Sequence, residues 1–499
     1  KIPFYGNYKP TKFVSIPKAY IIPQSQWQVL DILKLNNINA HRIQKDTIME
    51  VESYKIESYQ TSKSPYEGHY GHYNTKVSKS TQKVQFHYGD FVFYTNQPGV
   101  KYLMDKNFDS YFNTLLDEAV QSSTRKDFEM VLAKAVSQFQ DSHAFSFYRQ
   151  LNYKDRILFN VSYYSPFDFQ IMGDHLLVTH LIFPEICSKA RIKTGDKITE
   201  INGKKVSEII KEKSKLLSVS NHQKLQYVLS IYEYNLIWPD NLPKKMLTVH
   251  SGSKRFSTEI DLINATDKSQ VTVISNYINR KNSKTENRSL INKDIAYFKT
   301  DATMHFMENV DDDKLDAKMD SILEDASHKK AIVFDMRGYP DWGGFVFYYV
   351  YKYFSPVENY FYKYYEPNLK NLGTFSLRDP KFNYPEIENK TMHSYSGKVF
   401  ILVNPDTRSA SEWYSMSLQK IFPQSITIGQ QTSGADGDVV KINLPGDYIL
   451  EFTGNGIFYP DNTQTQQKGI RINRLIKYTD QDILDQRDLE FETVLNSLN

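Results

Sequence analysis

Between Lys398 and Gln431 the chain reads KVFILVNPDTRSASEWYSMSLQKIFPQSITIGQQ, and its hydrophobic pattern changes character twice. Val399–Val403 is an almost wholly apolar run of strand length, which suits a strand buried on both faces. Pro405 and Asp406 break it. Ser409–Phe422 then reads as a helix and Ser425–Gln431 as a second strand. This is a βαβ unit, so the two strands are predicted to be parallel neighbours in a covered sheet. Ser409 falls where the strand's C-terminal end meets the helix N-terminus. Free N–H groups point outward there and the helix dipole favours negative charge. A serine at such a point can attack a carbonyl while the same N–H groups hold the resulting oxyanion. Ser409-Ala410-Ser411-Glu412 also fits a capping box, which requires no chemistry.

The pattern elsewhere divides the chain into four stretches. In residues 1–105 the alternating runs Thr47–Tyr54, Lys83–Tyr88 and Asp90–Tyr94 read as strands of a β-rich module. Gln24–Leu35 makes a short amphipathic turn or two, through Val29, Leu30, Ile32 and Leu33. Residues 106–160 form a helical cap. Asp109–Gln140 carries two helical repeats of apolar positions and ends in Gln140-Asp141-Ser142-His143-Ala144-Phe145. Taken alone, a histidine after a helix is more often a partner for the helix C-terminus than a base. In residues 161–265, Phe167–Leu181 reads as paired strands. Ala190–Ile209 gives a turn, a strand, an Asn202-Gly203 turn and a helix start, and Ser251–Leu262 a closing strand.

Residues 266–499 hold the βαβ unit. Asn276–Asn292 is polar and basic, and reads as a linker or exposed loop. Ile295–Phe298 is a predicted strand and Asp312–Ser327 a helix. Ala331–Phe334 is a buried strand leading into DMRGYPDWGG, Asp335–Gly344. Glycines after a strand end let backbone approach a ligand closely. The same segment also reads as a plain turn with an Asp335–Arg337 ion pair. Thr432–Asp438 is a polar glycine loop and Asn443–Tyr459 a hairpin pair. Gln466–Asn473 closes the core before a terminal helix, Asp480–Leu498.

Composition narrows the function classes. At 499 residues about three domains are expected. With 40% hydrophobic and 24% charged residues the chain is globular rather than disordered. A net charge of +3 gives no electrostatic footprint for nucleic acid. No apolar run approaches the roughly 18 residues needed to cross a bilayer. The single cysteine, Cys187, rules out an intrachain disulfide and a multi-cysteine zinc site. Glu67, His69 and His72 in EGHYGH have spacing that could hold a metal, but in a tyrosine-rich loop they carry no metal expectation. The 36 Tyr and 30 Phe favour β-rich parts and aromatic-lined clefts. The chain starts at Lys1 without Met, and reads as a processed or trimmed product whose address has been removed.

Two resemblances add to this reading. PKAYIIP (Pro17–Pro23), Val51–Tyr70, Gly89–Met104 and DSYF (Asp109–Phe112) resemble the β-domain that follows the catalytic domain in some bacterial zinc carboxypeptidases. The zinc-binding domain itself has no counterpart in the chain, so ancestry is implied and not carboxypeptidase activity. Ala190–Ile209 resembles a PDZ domain of the bacterial protease-associated kind, a module that binds extended peptide along a strand edge or merely braces its neighbour. DSH, the PDZ-like module, DMRGYP…GG, TRSASE and then IGxxTxG occur in the order seen in the tail-specific and tricorn-type serine peptidases. That resemblance covers roughly residues 110–499. It implies a multidomain α/β protein with a ClpP/crotonase-like core, and endopeptidase activity on peptides or unfolded proteins without metal or organic cofactor.

Site residues follow from the resemblance. Tail-specific enzymes use a lysine in the loop after the I-G strand; Thr432–Asp438 contains none, and Ala435 stands near the expected place. The tricorn branch uses a histidine preceded by a serine from the cap, matched by Ser142-His143. Ser409 is then the nucleophile, His143 the base and Ser142 the residue that orients the imidazole. Gln466 stands where the tricorn branch has a glutamate holding that serine; its amide accepts a hydrogen bond but lacks the charge. The oxyanion hole is assigned to the backbone N–H of Ala410 with that of Gly343 or Gly344. The alternatives are a peptide-binding scaffold that lost turnover, and a zinc carboxypeptidase remnant. A periplasmic or extracellular location rests on the resemblance.

Overall fold

The computed structural model describes residues 17–26, 29–30, 33, 38–61, 72–95, 114–144, 148–149, 162–238, 240–283, 294–354, 360–367, 375–380, 393–444 and 446–498. The chain falls into two units, residues 1–131 with 368–374, and residues 132–367 with 375–499.

In the first unit Ala19–Ile22, Phe91–Tyr94 and His41–Arg42 form a small antiparallel sheet with Phe91–Tyr94 in the middle. Leu30, Leu33, Ile38, Phe91 and Phe93 bury a core against it. Thr47–Thr61 and His72–Phe86 pair as one long antiparallel ribbon. The runs Thr47–Tyr54 and Lys83–Tyr88 mark only its base, because the polar continuation does not alternate cleanly. Glu67, His69 and DSYF lie outside the described residues.

In the second unit β1 (Phe167–Met172), β2 (His175–Leu181), β3 (Lys197–Ile201), β4 (Lys244–Ser251) and β5 (Lys254–Asp261) form an antiparallel sheet in the order β5-β4-β3-β2-β1. Phe167, Leu176, Ile198, Ile201 and Leu247 bury one face together with Leu225 and Val228 of α1 (His222–Ser230). Asn221 caps α1 by accepting from Lys224 N at 2.9 Å. The expected loop at Asn276–Asn292 is corrected in its first half. Lys268–Ser283 is a helix. Ile274, Tyr277 and Ile278 recur at helical spacing and pack inward, and Tyr277 donates to the buried Asp168 carboxylate at 2.5 Å. Residues 284–293 lie outside the described residues.

Next in the chain come β6 (Ile295–Lys299), α2 (Leu315–Ser327), β7 (Ala331–Asp335), β8 (Lys398–Val403), α3 (Ala410–Ile421), β9 (Ile426–Gly429), the hairpin β10 (Val439–Leu444) and β11 (Tyr448–Thr453), β12 (Arg474–Leu475) and α4 (Leu489–Leu498). β6, β7, β8, β9 and β12 make a parallel sheet in that order. Strand alternation sorts its side chains onto two faces. Phe298, Phe334, Val399 and Ile401 meet Met319 and Leu323 of α2 and Met416 and Leu418 of α3. Tyr297, Val333, Phe400 and Leu402 meet Val494 and Phe491 of α4 on the other. Both faces of β8 are covered, which is why its sequence shows no polar alternation. Gly429 ends β9 at φ +146°, and a Cβ there would lie 1.8 Å from Val403 O, so only glycine fits beside the end of β8.

Three further expectations are corrected. The hairpin is β10–β11; Gly456–Phe458 leaves it to pair with Lys363–Pro367. Gln466–Asn473 contains no strand, and the sheet is closed by the two residues that follow it. The terminal helix is two helices, Asp480–Leu484 and α4, because Gln486 takes φ 53° and Arg487 turns back to the Asp482 carboxylate at 2.7 Å.

The Asp335–Arg337 ion pair is made, and it reaches further than a turn. The Arg337 guanidinium donates to both Asp335 oxygens at 2.9 and 2.7 Å and to Asp488 at 2.7 and 2.9 Å. It thus ties the end of β7 to the start of α4. Arg337→Met should leave the 1% exposed Asp335 uncompensated and lower stability by about 3–5 kcal/mol, read by urea unfolding. A loss under about 1 kcal/mol would show that this link is dispensable.

Candidate active site

The loops after β7, β8 and β9 leave the sheet at its C-terminal edge, where parallel sheets place ligand sites. The loop after β8 delivers Ser409. This residue opens α3 at φ 51°, ψ −123°, and its side chain makes no capping hydrogen bond. The capping box is therefore not formed. That backbone conformation costs on the order of 1–3 kcal/mol and persists only where the surroundings impose it. Here Ser409 N donates to Ala435 O at 3.0 Å, and Trp413 N returns to Ser409 O at 3.0 Å. The hydroxyl has no hydrogen-bond partner among the described residues.

Glu412, the expected box partner, points inward instead and is fully buried. Its Oε1 accepts from Thr432 Oγ1 at 2.5 Å and Gly434 N at 2.8 Å, and its Oε2 from Ala435 N at 2.9 Å. Burial pushes its pKa up to about 7, while those three donors and Lys224 pull the other way. Asp436, equally buried and beside Glu412, is held well above the ordinary carboxylate range by burial and by that neighbour. Gly434 takes φ +64°, with Gln467 backbone against the place of a Cβ.

The same loop receives the turn that follows the helix Arg125–Ser137. Ser142 Oγ donates to Ser433 O at 3.1 Å and accepts from Ser220 N at 2.9 Å. Ser433 and Ala435 are two residues apart, so Ser142 and the Ser409 backbone lie within about 13 Å of each other. Ser433 N also donates to Thr407 O at 2.9 Å and Ser433 Oγ to Pro405 O at 2.7 Å. Lys224 Nζ reaches Pro405 O as well, at 3.0 Å; burial pushes its pKa down to about 8.

His143 follows in a turn. Its ring is nearly buried, Nδ1 lies 2.8 Å from Thr453 Oγ1, and Nε2 is buried without a partner among the described residues. Burial holds its pKa below the ordinary 6.5; Asp141 and Glu451 oppose the shift, and Arg408 and Lys224 add to it. The imidazole is thus neutral at pH 7 and able to accept a proton. No hydrogen bond joins it to Ser409 among the described residues.

Two expected contacts are made elsewhere. Ser142 donates its only hydroxyl proton to Ser433 O, so it fastens its own turn to the loop rather than bonding the imidazole. Gln466 accepts from Ile457 N at 2.9 Å and donates to Asp436 O at 2.5 Å; it braces the loop and does not meet Ser142. Gly343 and Gly344 lie where a Cβ would come 1.9 Å from the Tyr414 hydroxyl and 2.5 Å from Trp342 Nε1. Tyr414 belongs to α3, so this packing sets the glycine pair against the helix that Ser409 opens. Gly338 is nearer the helix start: Ser411 Oγ donates to Gly338 O at 2.6 Å, and Arg408 lies over the Tyr339 ring. Thr453 was not legible, because nothing local marks a hairpin end as a histidine partner. Asp141 had a signal, its place two residues before His143, where it accepts from His143 N at 3.0 Å.

Glu412→Gln should unfasten the loop. An amide offers one acceptor oxygen, and its NH₂ would face a backbone N–H. A loss of about 1–3 kcal/mol is expected in thermal or denaturant unfolding. Unchanged stability would mean that the loop holds itself.

Comparison with known proteins bears on the core. Residues 294–474 match the family model described as peptidase family S41. Mature CPAF complexed with lactacystin is similar over 80% of this chain and 92% of that one, at 12% identity and a TM-score of 0.52. A second mature CPAF structure covers 79% and 91%, at 11% identity and 0.51. The tricorn protease covers 85% of this chain and 39% of that one, at 14% identity and 0.32. None of the curated proteins compared matches. The CPAF likeness is one of fold, and the matched segment contains Ser409 and Glu412 but not His143. Residues 294–474 of this chain are similar to peptidase family S41.

Proposed function

We propose that this protein is a serine endopeptidase in which Ser409 is the nucleophile and His143 the general base. The observation that carries the reading is the convergence of Ser409 and of Ser142, the neighbour of His143, on Ser433–Ala435, with Ser409 strained at the head of α3 and His143 Nε2 without a partner among the described residues. A nucleophile on a strained strand-to-helix turn presents its oxygen to a substrate above the sheet edge. His143 takes the Ser409 proton as Oγ attacks the peptide carbonyl, and returns it to the leaving amine. Water then releases the acyl group. A positioned base contributes roughly 10²–10⁴ in rate.

The N–H of Ala410, at the head of α3, holds the oxyanion with one donor from Gly343 or Gly344; a single such donor is worth about 10²–10³. Gln466 acts at a distance by bracing Asp436. The β1–β5 sheet with α1 is read as the PDZ-like module, a docking edge for extended peptide or a brace. Substrates are peptides or unfolded proteins. A periplasmic or extracellular setting is part of the same reading, and no helix among the described residues is long and apolar enough to cross a membrane.

A fluorophosphonate probe tests this directly. Wild type should be labelled, and Ser409→Ala and His143→Ala should each abolish labelling. An unlabelled wild type would favour the peptide-binding scaffold instead, the reading to which the missing Ser409–His143 hydrogen bond points.

The pH profile of the labelling rate follows from burial of the base. A histidine whose pKa is lowered stays neutral to lower pH, so the rate should fall only as pH drops through a midpoint below 6.5. A midpoint above 6.5 would assign the acid limb to Glu412.

A further inference from the structure

Two hydrogen bonds beyond the imidazole fix which of its nitrogens carries the proton. Thr453 Oγ1 lies 2.8 Å from His143 Nδ1 and 2.9 Å from Asp141 Oδ1. A threonine hydroxyl has one proton, and an ionised carboxylate can only accept. The Thr453 proton therefore points to Asp141, and its lone pair is left to accept from Nδ1–H. Nδ1 then bears the proton of the neutral ring, and Nε2, the buried atom without a partner, keeps its lone pair.

The arrangement is held on both sides. Asp141 Oδ2 accepts from Thr453 N at 2.5 Å, and Asp141 Oδ1 accepts from His143 N at 3.0 Å. One carboxylate thus binds the end of β11 and the turn that carries His143, 3.9 Å from Nδ1. The other charged groups facing the ring are Arg408 and Lys224, which oppose a positive imidazole, and Glu451, which supports it.

We propose that Thr453 and Asp141 are the positioning residues of the His143 base, with Thr453 selecting the Nδ1–H tautomer and Asp141 supplying the negative charge behind it. The pair takes the place left open by Ser142 and Gln466, whose hydrogen bonds go elsewhere. The inference rests on the peptidase reading only for its consequence in rate; the tautomer stands apart from it. As Ser409 Oγ bonds to the carbonyl carbon, its proton passes to Nε2. Nδ1–H stays on the ring, donating to Thr453, and the Thr453 proton stays directed at Asp141. The imidazolium then gives the Nε2 proton to the amine nitrogen as the C–N bond breaks. Asp141 is never protonated in this sequence. Its charge acts through the hydroxyl and across 3.9 Å.

Two measurements on the full chain decide the matter. The first reads the ring itself. With ¹⁵N-labelled histidine at pH 8, the signals lost in His143→Ala identify residue 143, and their shifts should report the Nδ1–H tautomer. Thr453→Val should convert them to the other tautomer or a mixture, while Thr453→Ser should preserve them. An Nε2–H ring in the wild type would overturn the proposal whatever the activity.

The second is the fluorophosphonate labelling rate. Thr453→Val should lower it at least tenfold, and Thr453→Ser should restore it to within about threefold, since tautomer control is worth up to ~10⁴. Asp141→Asn should move the acid limb to lower pH, because the charge that supports the imidazolium is gone. Thr453→Val labelling at the wild-type rate with an unmoved limb would also overturn it. An unlabelled wild type with an intact Nδ1–H ring would remove the peptidase reading and leave the positioning pair standing.

Discussion

The buried carboxylate of Glu412 is the contact on which the site depends. It sits in the first turn of α3 and satisfies the backbone of the neighbouring loop at Gly434 and Ala435, together with the Thr432 hydroxyl. A fully buried carboxylate is costly unless every lone pair finds a donor. The donors here belong to the segment that holds Ser409 N at one end and Ser142 at the other. The charge that would destabilise the core is thereby used to fix the relative position of two stretches about 270 residues apart in sequence.

Around this anchor the loop is saturated from several elements. Asn221, ahead of α1, donates to Thr432 O at 2.7 Å, and Lys224 shares Pro405 O with Ser433. The antiparallel sheet that carries α1 is therefore joined by hydrogen bonds to the loops on either side of the turn that carries Ser409. Asn221 and Lys224 carry these hydrogen bonds from the head of α1 to the core. Among the described residues the Ser409 hydroxyl and His143 Nε2 stay without a partner, as do Gln431 Nε2 and Asp436 Oδ2.

Much of the core was legible because its signals are local. Val399–Val403 has no polar residue to place on a solvent face, so a doubly covered strand was the reading open to it, and the faces of β8 are covered by α3 and α4. The I-G of β9 entered only as part of the IGxxTxG resemblance, and its physical reason, the approach of Val403 O to Gly429, is seen in the structure. Where the reading failed, local pattern competed with tertiary contact. Ser409-x-x-Glu412 has the spacing of a capping box, yet Glu412 turns inward, because the orphan N–H groups of a distant loop outbid those of its own helix. Asn276–Ser283 looked like a loop because its polar residues outnumber Ile274, Tyr277 and Ile278, but those three share one helical face and have a core to enter.

The sequence alone determined the parallel α/β core, the place of Ser409 at the head of a helix and the presence of His143 after another. Each depends on residues within a few turns of one another, where hydrophobic period and chain geometry act directly. Tertiary structure alone decided what those residues touch. Which oxygen receives the Ser142 proton, which hydroxyl meets His143 Nδ1 and which carboxylate stands behind it are matters of contact between segments hundreds of residues apart. A hydroxyl's single proton is committed by whatever acceptor the fold brings to it, and no spacing along the chain encodes that choice.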